Sequence, residues 1–251
     1  MADRFRLTYL KSTALERSDF DESFSSRDVE KMITSASPLP EYAIPGARSS
    51  EAILKQAKAD LKHPDPQVRL WAIRYYLEKS FPAIPISLLQ EILSDEDPDI
   101  RAEALHSLIR FRNPIVSTLL KKHLKDSDPK VRIAALRGIF QQQEKIELNI
   151  LLQLLSDPSS WVRRKVATLI GWRQIEGSLP ILMELSRDHD PMVRRAALFS
   201  LAVVHPDESE DRLMEAMTDS DPAVRTWAKM ILENMADRPV KGKMVSLAHR
   251  D

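Results

Sequence analysis

Asp65-Pro66-Gln67-Val68-Arg69 is answered along the chain by Asp97-Pro98-Asp99-Ile100-Arg101, Asp128-Pro129-Lys130-Val131-Arg132, Ser159-Ser160-Trp161-Val162-Arg163, Asp190-Pro191-Met192-Val193-Arg194 and Asp221-Pro222-Ala223-Val224-Arg225. The arginines fall at positions 69, 101, 132, 163, 194 and 225, a step that is constant after the first and one longer there. Other positions hold the same register. Three residues after each arginine stand Ala72, Ala104, Ala135, Val166, Ala197 and Ala228, and seven after stand Tyr76, Leu108, Ile139, Ile170, Leu201 and Leu232. Self-similarity at a fixed period of this size is the signature of a stacked repeat. The fourth copy departs: its Asp-Pro pair reads two residues early, at Asp157-Pro158, leaving Ser159 as the expected cap.

Each copy divides into two helices. An aspartate before a proline suits a helix start, because the carboxylate accepts from free backbone N–H groups and proline's φ is already helical. A second helix of about 14 residues then follows, at ~1.5 Å of rise each. Ahead of it lies a shorter apolar run, such as positions 115–120 or 148–152. A two-helix unit cannot bury its apolar face alone, so the units must stack. The spacing predicts an all-α chain: an α-solenoid, or superhelix, of six two-helix repeats over residues 49–236. Residues 1–48, broken by Pro38, Pro40 and Pro45, are expected as an arm or cap. Residues 237–251, with Lys241, Lys243 and Arg250, are expected as a flexible basic tail.

Composition agrees and excludes alternatives. The 251 residues hold 37 Lys+Arg and 37 Asp+Glu, so a general polyanion binder is disfavoured. No cysteine is present, which removes disulfides, thiolate metal sites and a cysteine nucleophile. Glycine is scarce at 5 residues, too few for hairpin-rich β folds. The N-terminal residues lack a signal-peptide apolar core and no run is long enough to span a bilayer, so a soluble cytoplasmic protein is expected.

The repeated Asp-Pro-x-(Val/Ile)-Arg units resemble those of HEAT-repeat proteins, of the short bacterial type described as lyase HEAT-like, from about Ser49 to Ala236. That resemblance implies a curved solenoid whose second helices line the concave side. It is specific for fold and weak for function, since unrelated roles share the scaffold.

Helical geometry at ~100° per residue places side chains on faces. Positions −1, +3, +7 and +10 from each arginine gather on the core side, and −2, +1, +2, +5 and +9 gather opposite. The second set holds all four tryptophans, Trp71, Trp161, Trp172 and Trp227, together with Phe199 and Met230. It also holds Lys130, Arg137, Arg164, Lys165 and Arg195 in units three to five, with acids (Glu78, Asp99 and Glu103) only in the first two. Exposed aromatic clusters mark interaction sites, and Trp and Arg are frequent hot spots. The expected partner-binding set is therefore Trp71, Arg137, Trp161, Arg164, Lys165, Trp172, Arg195, Phe199, Trp227 and Met230, holding a protein partner with apolar anchors and carboxylates. The motif arginines Arg69, Arg101, Arg132, Arg163, Arg194 and Arg225 are expected to be structural, each linking to a turn aspartate or helix-end carbonyl of an adjacent unit.

Signatures of chemistry are not found. The sequence has no His-Glu-x-x-His, Gly-x-Ser-x-Gly, Gly-x-Gly-x-x-Gly or phosphate-cradling loop. The six histidines show no metal-ligand spacing, and the His-Glu pairs of HEAT-like iron hydroxylases do not occur. A non-catalytic adaptor or assembly scaffold without cofactor is the reading the residues favour. The resemblance implies two alternatives. HEAT-like alkylpurine DNA glycosylases hold DNA with groove tryptophans and basic residues, as Trp161, Trp172, Arg164 and Lys165 resemble, but no acid lies among these aromatics. Bilin lyases and their chaperones carry similar repeats, though nothing in the sequence specifies a pigment.

Overall fold

The computed structural model describes residues 50–78, 86–109, 114–142 and 146–236. The expected arm at 1–48 and the expected tail at 237–251 lie outside these residues. The described residues form twelve α-helices, paired into six units. The first three pairs are α1 (Ser50–Asp60) with α2 (Pro66–Glu78), α3 (Ile86–Ile92) with α4 (Pro98–Leu108), and α5 (Pro114–His123) with α6 (Pro129–Gln142). They are followed by α7 (Leu148–Leu152) with α8 (Ser160–Arg173), α9 (Leu179–Leu185) with α10 (Pro191–Val204), and α11 (Pro206–Ala216) with α12 (Pro222–Ala236). The protein is an all-α solenoid. Successive second helices pack on one another in an unbroken row, α2 on α4, α4 on α6, α6 on α8, α8 on α10 and α10 on α12.

The repeat register explains the core. Val131, Val162, Val193 and Val224, each one before the arginine of its unit, are fully buried, as are Ala72, Ala135, Val166, Ala197 and Ala228 three after; Val68 in the first unit is half-buried. One apolar cluster runs from Ala57 to Leu201, and a second gathers Leu198, Ala202, Leu213, Ala216, Val224, Ala228 and Ile231 at the C-terminal end. The second-helix starts behave as their Asp-Pro pairs predict. Asp65, Asp97, Asp128, Asp190 and Asp221 each accept from the backbone N–H two residues on, at 2.8 Å. Among the described residues, Ser159 makes no side-chain cap bond.

The arginines connect units through a second periodic set, Asp95, Asp126, Asp157, Asp188 and Asp219, which keeps the same step as the arginines themselves. Arg69 donates from Nε and Nη2 to Asp95 at 2.8 and 2.9 Å, and from Nη1 to the carbonyls of His63 and Pro64. Arg101 forks onto Asp126, Arg132 onto Asp157, Arg163 onto Asp188 and Arg194 onto Asp219, all between 2.6 and 3.0 Å. Each aspartate also accepts from the backbone N–H two residues on, at 2.9 Å. So each of these five guanidinium groups clasps its own turn and the next one. This corrects the reading of unit four: Asp157 has not slipped from the cap but stands in register with the other rung aspartates. Arg225 is also corrected. It is exposed and, among the described residues, bonds only carbonyls of its own turn, those of Asp219 and Ser220.

The rungs carry a pH signature. Burial alone would raise Asp126, Asp188 and Asp219. The arginine hydrogen bonds and the backbone N–H outweigh it and hold all three below the usual carboxylate range. A carboxyl lowered in the folded state contributes stability that is complete above its unfolded pKa of about 3.9 and is lost as pH falls through the folded value. Urea midpoints should therefore fall below about pH 4. Arg163→Met, which removes one rung, should flatten that fall; an equally steep fall in the variant would refute the assignment.

Close approach sets the spacing of α8 and α10. A Cβ on Gly171 would overlap Ser200 Oγ and stand 3.2 Å from Ser200 Cα, while Ser200 Oγ donates to the Ala167 carbonyl at 2.8 Å. Gly171→Leu is expected to destabilise by about 1–3 kcal/mol through forced separation of the row. A urea midpoint equal to wild type would contradict that packing.

Candidate partner-binding face

The row packing divides the face opposite the core into a seam and an open strip. Positions +1 and +2 flank neighbouring second helices. Ile133 and Arg164 at +1 are 5% and 8% exposed. At +2, Trp71, Glu103, Ala134, Lys165, Ala196 and Trp227 are all half-buried. The open strip is formed by −2, +5 and +9, where Lys130, Trp161, Arg137, Met230, Gln141 and Trp172 are exposed. The expected ten-residue set therefore splits. Trp161, Trp172, Arg137 and Met230 share the strip. Trp71 packs against the large core cluster, and Phe199 and Trp227 pack against the C-terminal one. Arg164 is corrected from surface to seam, because α8 is flanked on both sides by its neighbours. Angular reckoning about a lone helix cannot show that burial, since adjacent second helices cover side chains that point away from the core.

Trp161 and Trp172 form the centre of the strip. They are 46% and 52% exposed, at opposite ends of α8. Eleven residues is about three turns, so the indoles share one side of the helix about 16 Å apart. The Arg164 guanidinium lies 5.6 Å from the Trp161 ring centroid, near enough for cation–π attraction. Thr168, between the two indoles in sequence, donates to the Arg164 carbonyl at 3.0 Å.

A second aromatic group sits at the C-terminal end. Arg195 lies 5.0 Å over the Trp227 ring, and Trp227 meets Phe199 at 6.1 Å between centroids with planes tilted by 41°. Arg195 Nε and Trp227 Nε1 are buried without hydrogen-bond partners among the described residues. These rings tie α10 to α12.

The charge pattern is more local than composition suggests. Glu103 pairs with Arg74 at 2.9 Å, and Asp99 with Lys130 at 2.8 Å, each across neighbouring second helices. The acids of unit two thus neutralise cations of units one and three. Arg137 has no ion pair among the described residues and stands on α6 beside the helix carrying the indoles. Among the described residues, no helix is long and apolar enough to cross a membrane.

Comparisons agree with the fold. The model for HEAT repeats matches residues 51–139, 116–202 and 179–251, and the chain belongs to the HEAT-repeat family. Its structure resembles YibA of E. coli, at 21% identity and a TM-score of 0.55, covering 75% of this chain and 76% of that one. It also resembles the complex of CpcE and CpcF of phycocyanin lyase from Nostoc sp., at 19% identity and a TM-score of 0.48, covering 80% and 81%. A designed armadillo repeat protein in complex with the peptide (KR)4 aligns at 20% identity and a TM-score of 0.47, covering 72% and 99%. No curated protein matches the sequence.

Proposed function

We propose that the protein is a binding scaffold that holds a protein partner along the open strip of α6 and α8. The observation that carries this reading is the pair of half-exposed indoles on one side of α8, which the packed row leaves facing solvent. Large rings that are rigid and partly apolar anchor interfaces with little loss of side-chain entropy. Arg137 adds a cation at the rim, where charge steers encounter more than it holds the complex. The partner segment this suits offers two apolar side chains about 16 Å apart, matching the indoles, and a carboxylate toward Arg137. That span is covered by about eleven helical residues or five extended ones.

The test is co-purification from cell extract with wild type and with Trp161→Ala plus Trp172→Ala, folding being checked by circular dichroism. Specific recovery by wild type and its loss in the folded variant support the reading. Equal recovery by both rejects it. A mobility shift of duplex DNA at low salt that survives the double substitution would instead place nucleic acid on another surface.

A further inference from the structure

The sixth motif arginine is held as the others are, yet its fork faces solvent. Arg225 Nη1 donates to the carbonyls of Asp219 and Ser220 at 2.7 and 3.1 Å. Arg69, Arg101, Arg132 and Arg194 each reach two carbonyls of their own turn in the same way, at 2.8 Å and at 3.0 to 3.1 Å. In those four and in Arg163, Nε and Nη2 then clasp an aspartate of the following unit. Arg225 is exposed, and its Nε and Nη2 have no carboxylate among the described residues. A planar fork fixed by its third nitrogen is preorganised to take one carboxylate through two parallel bonds. The five occupied rungs show what the sixth accepts.

An apolar contact accompanies the fork. Eight residues before their arginines, Leu61, Leu93, Leu124 and Ser186 are at most 7% exposed, whereas Met217 is 43% exposed. Inside the stack the next first helix covers this position. His123 Nε2 of α5 stands 3.2 Å from the Leu93 carbonyl, and Arg212 of α11 donates to Ser186 Oγ at 2.8 Å. The same two helices lead into Asp126 and Asp219, which Arg101 and Arg194 clasp. One helix with its turn thus makes both contacts. The second-helix half of this end differs. Four residues after the arginine, Ile73, Leu105, Leu136, Ala167 and Leu198 are buried. Unit six has Lys229 there, exposed and 3.8 Å from Glu233. A polar outer face stops a repeat stack, so this end suits a single helix and not a further two-helix unit.

We propose that this end docks another protein through a helix that carries an apolar side chain in its last turns and an aspartate just beyond them. The apolar side chain covers Met217, and the carboxylate forks onto Arg225, so that a sixth rung joins two molecules. The partner is a different chain. In the first unit of a second copy, the position one repeat ahead of Asp95 is His63, which offers no carboxylate. One repeat beyond Asp219 this sequence has Arg250, a like charge to Arg225. The site is separate from the strip of α6 and α8, and it selects for an acid at the end of a helix.

The probe is a peptide of residues 114–129, α5 with its turn, since within the protein this segment covers Leu93 and gives Asp126 to Arg101. It is stapled into a helix on its exposed side, labelled with fluorescein and titrated with the full chain. Wild type should give saturable anisotropy. Arg225→Ala should weaken binding at least about tenfold, the loss expected for a charged hydrogen-bonded pair. Asp126→Asn in the peptide should do the same, and both changes together should cost no more than either. Trp161→Ala plus Trp172→Ala should leave the affinity unchanged, which separates this site from the strip. Absence of saturable binding to wild type, or equal binding to Arg225→Ala, would overturn the proposal. Self-association of the chain that Arg225→Ala abolishes would also overturn it, by giving the site to a second copy.

Discussion

Arg132→Met should destabilise the solenoid by about 3–5 kcal/mol, the cost of stranding one member of a buried ion pair. Arg132 and Asp157 side chains are only 8% and 4% exposed. Removing the guanidinium takes two bonds of 2.7 Å from Asp157 and one each from the carbonyls of Asp126 and Ser127. The Ser159 N–H is then the remaining donor to Asp157 among the described contacts. Arg132→Lys should recover little, because an ammonium is a point donor and cannot fork onto the carboxylate while reaching two carbonyls. Arg225→Met should cost less than about 1 kcal/mol, since its guanidinium is exposed. Because each unit touches only its neighbours, the break at Arg132 should also uncouple the halves. Exchange of amides in α1 to α6 should then separate from exchange in α8 to α12. Equal urea midpoints for Arg132→Met and Arg225→Met would refute the clasp as the link between units.

Trp161→Ala plus Trp172→Ala should weaken partner binding by more than a hundredfold. Hot-spot tryptophans typically cost about 2 kcal/mol or more each on truncation, about thirtyfold apiece. Stability should change little, because both rings are about half in solvent and neither belongs to the core clusters. Trp227→Ala makes the opposite split. Its ring packs with Phe199 and lies under Arg195, so its loss should lower stability first. Arg137→Glu should slow association at low salt and lose its effect as salt rises, as expected of an exposed steering charge. A double-tryptophan variant with wild-type affinity would leave the strip without a role.

The constant step between copies made the architecture legible, because core positions, caps and arginines repeat together and a stack is the arrangement that buries them all. The open strip was partly legible. Angular position placed Trp161, Trp172 and Arg137 away from the core, where the structure has them. It misplaced Arg164, and it gave Trp71 and Trp227 too much solvent, since it treats each helix alone. The rung aspartates recur in step with the arginines. Asp157 was read as a displaced cap because proline follows it, although its register is that of Asp126 and Asp188. The ion pairs Arg74–Glu103 and Lys130–Asp99 join different units and have no local sequence signature. They pair off the acids of unit two with cations of units one and three, and leave Arg137 as an exposed cation on the strip.

The claim that a partner lodges on the strip of second helices is tested most directly by site-specific photocrosslinking of the purified complex. A benzophenone side chain would replace Trp172 on the strip, or Leu152 on the first helix α7, which is similarly exposed at 53%. The account predicts a covalent adduct with the partner from position 172 and none from position 152. An adduct from 152 alone, with the complex still formed in both variants, would contradict it.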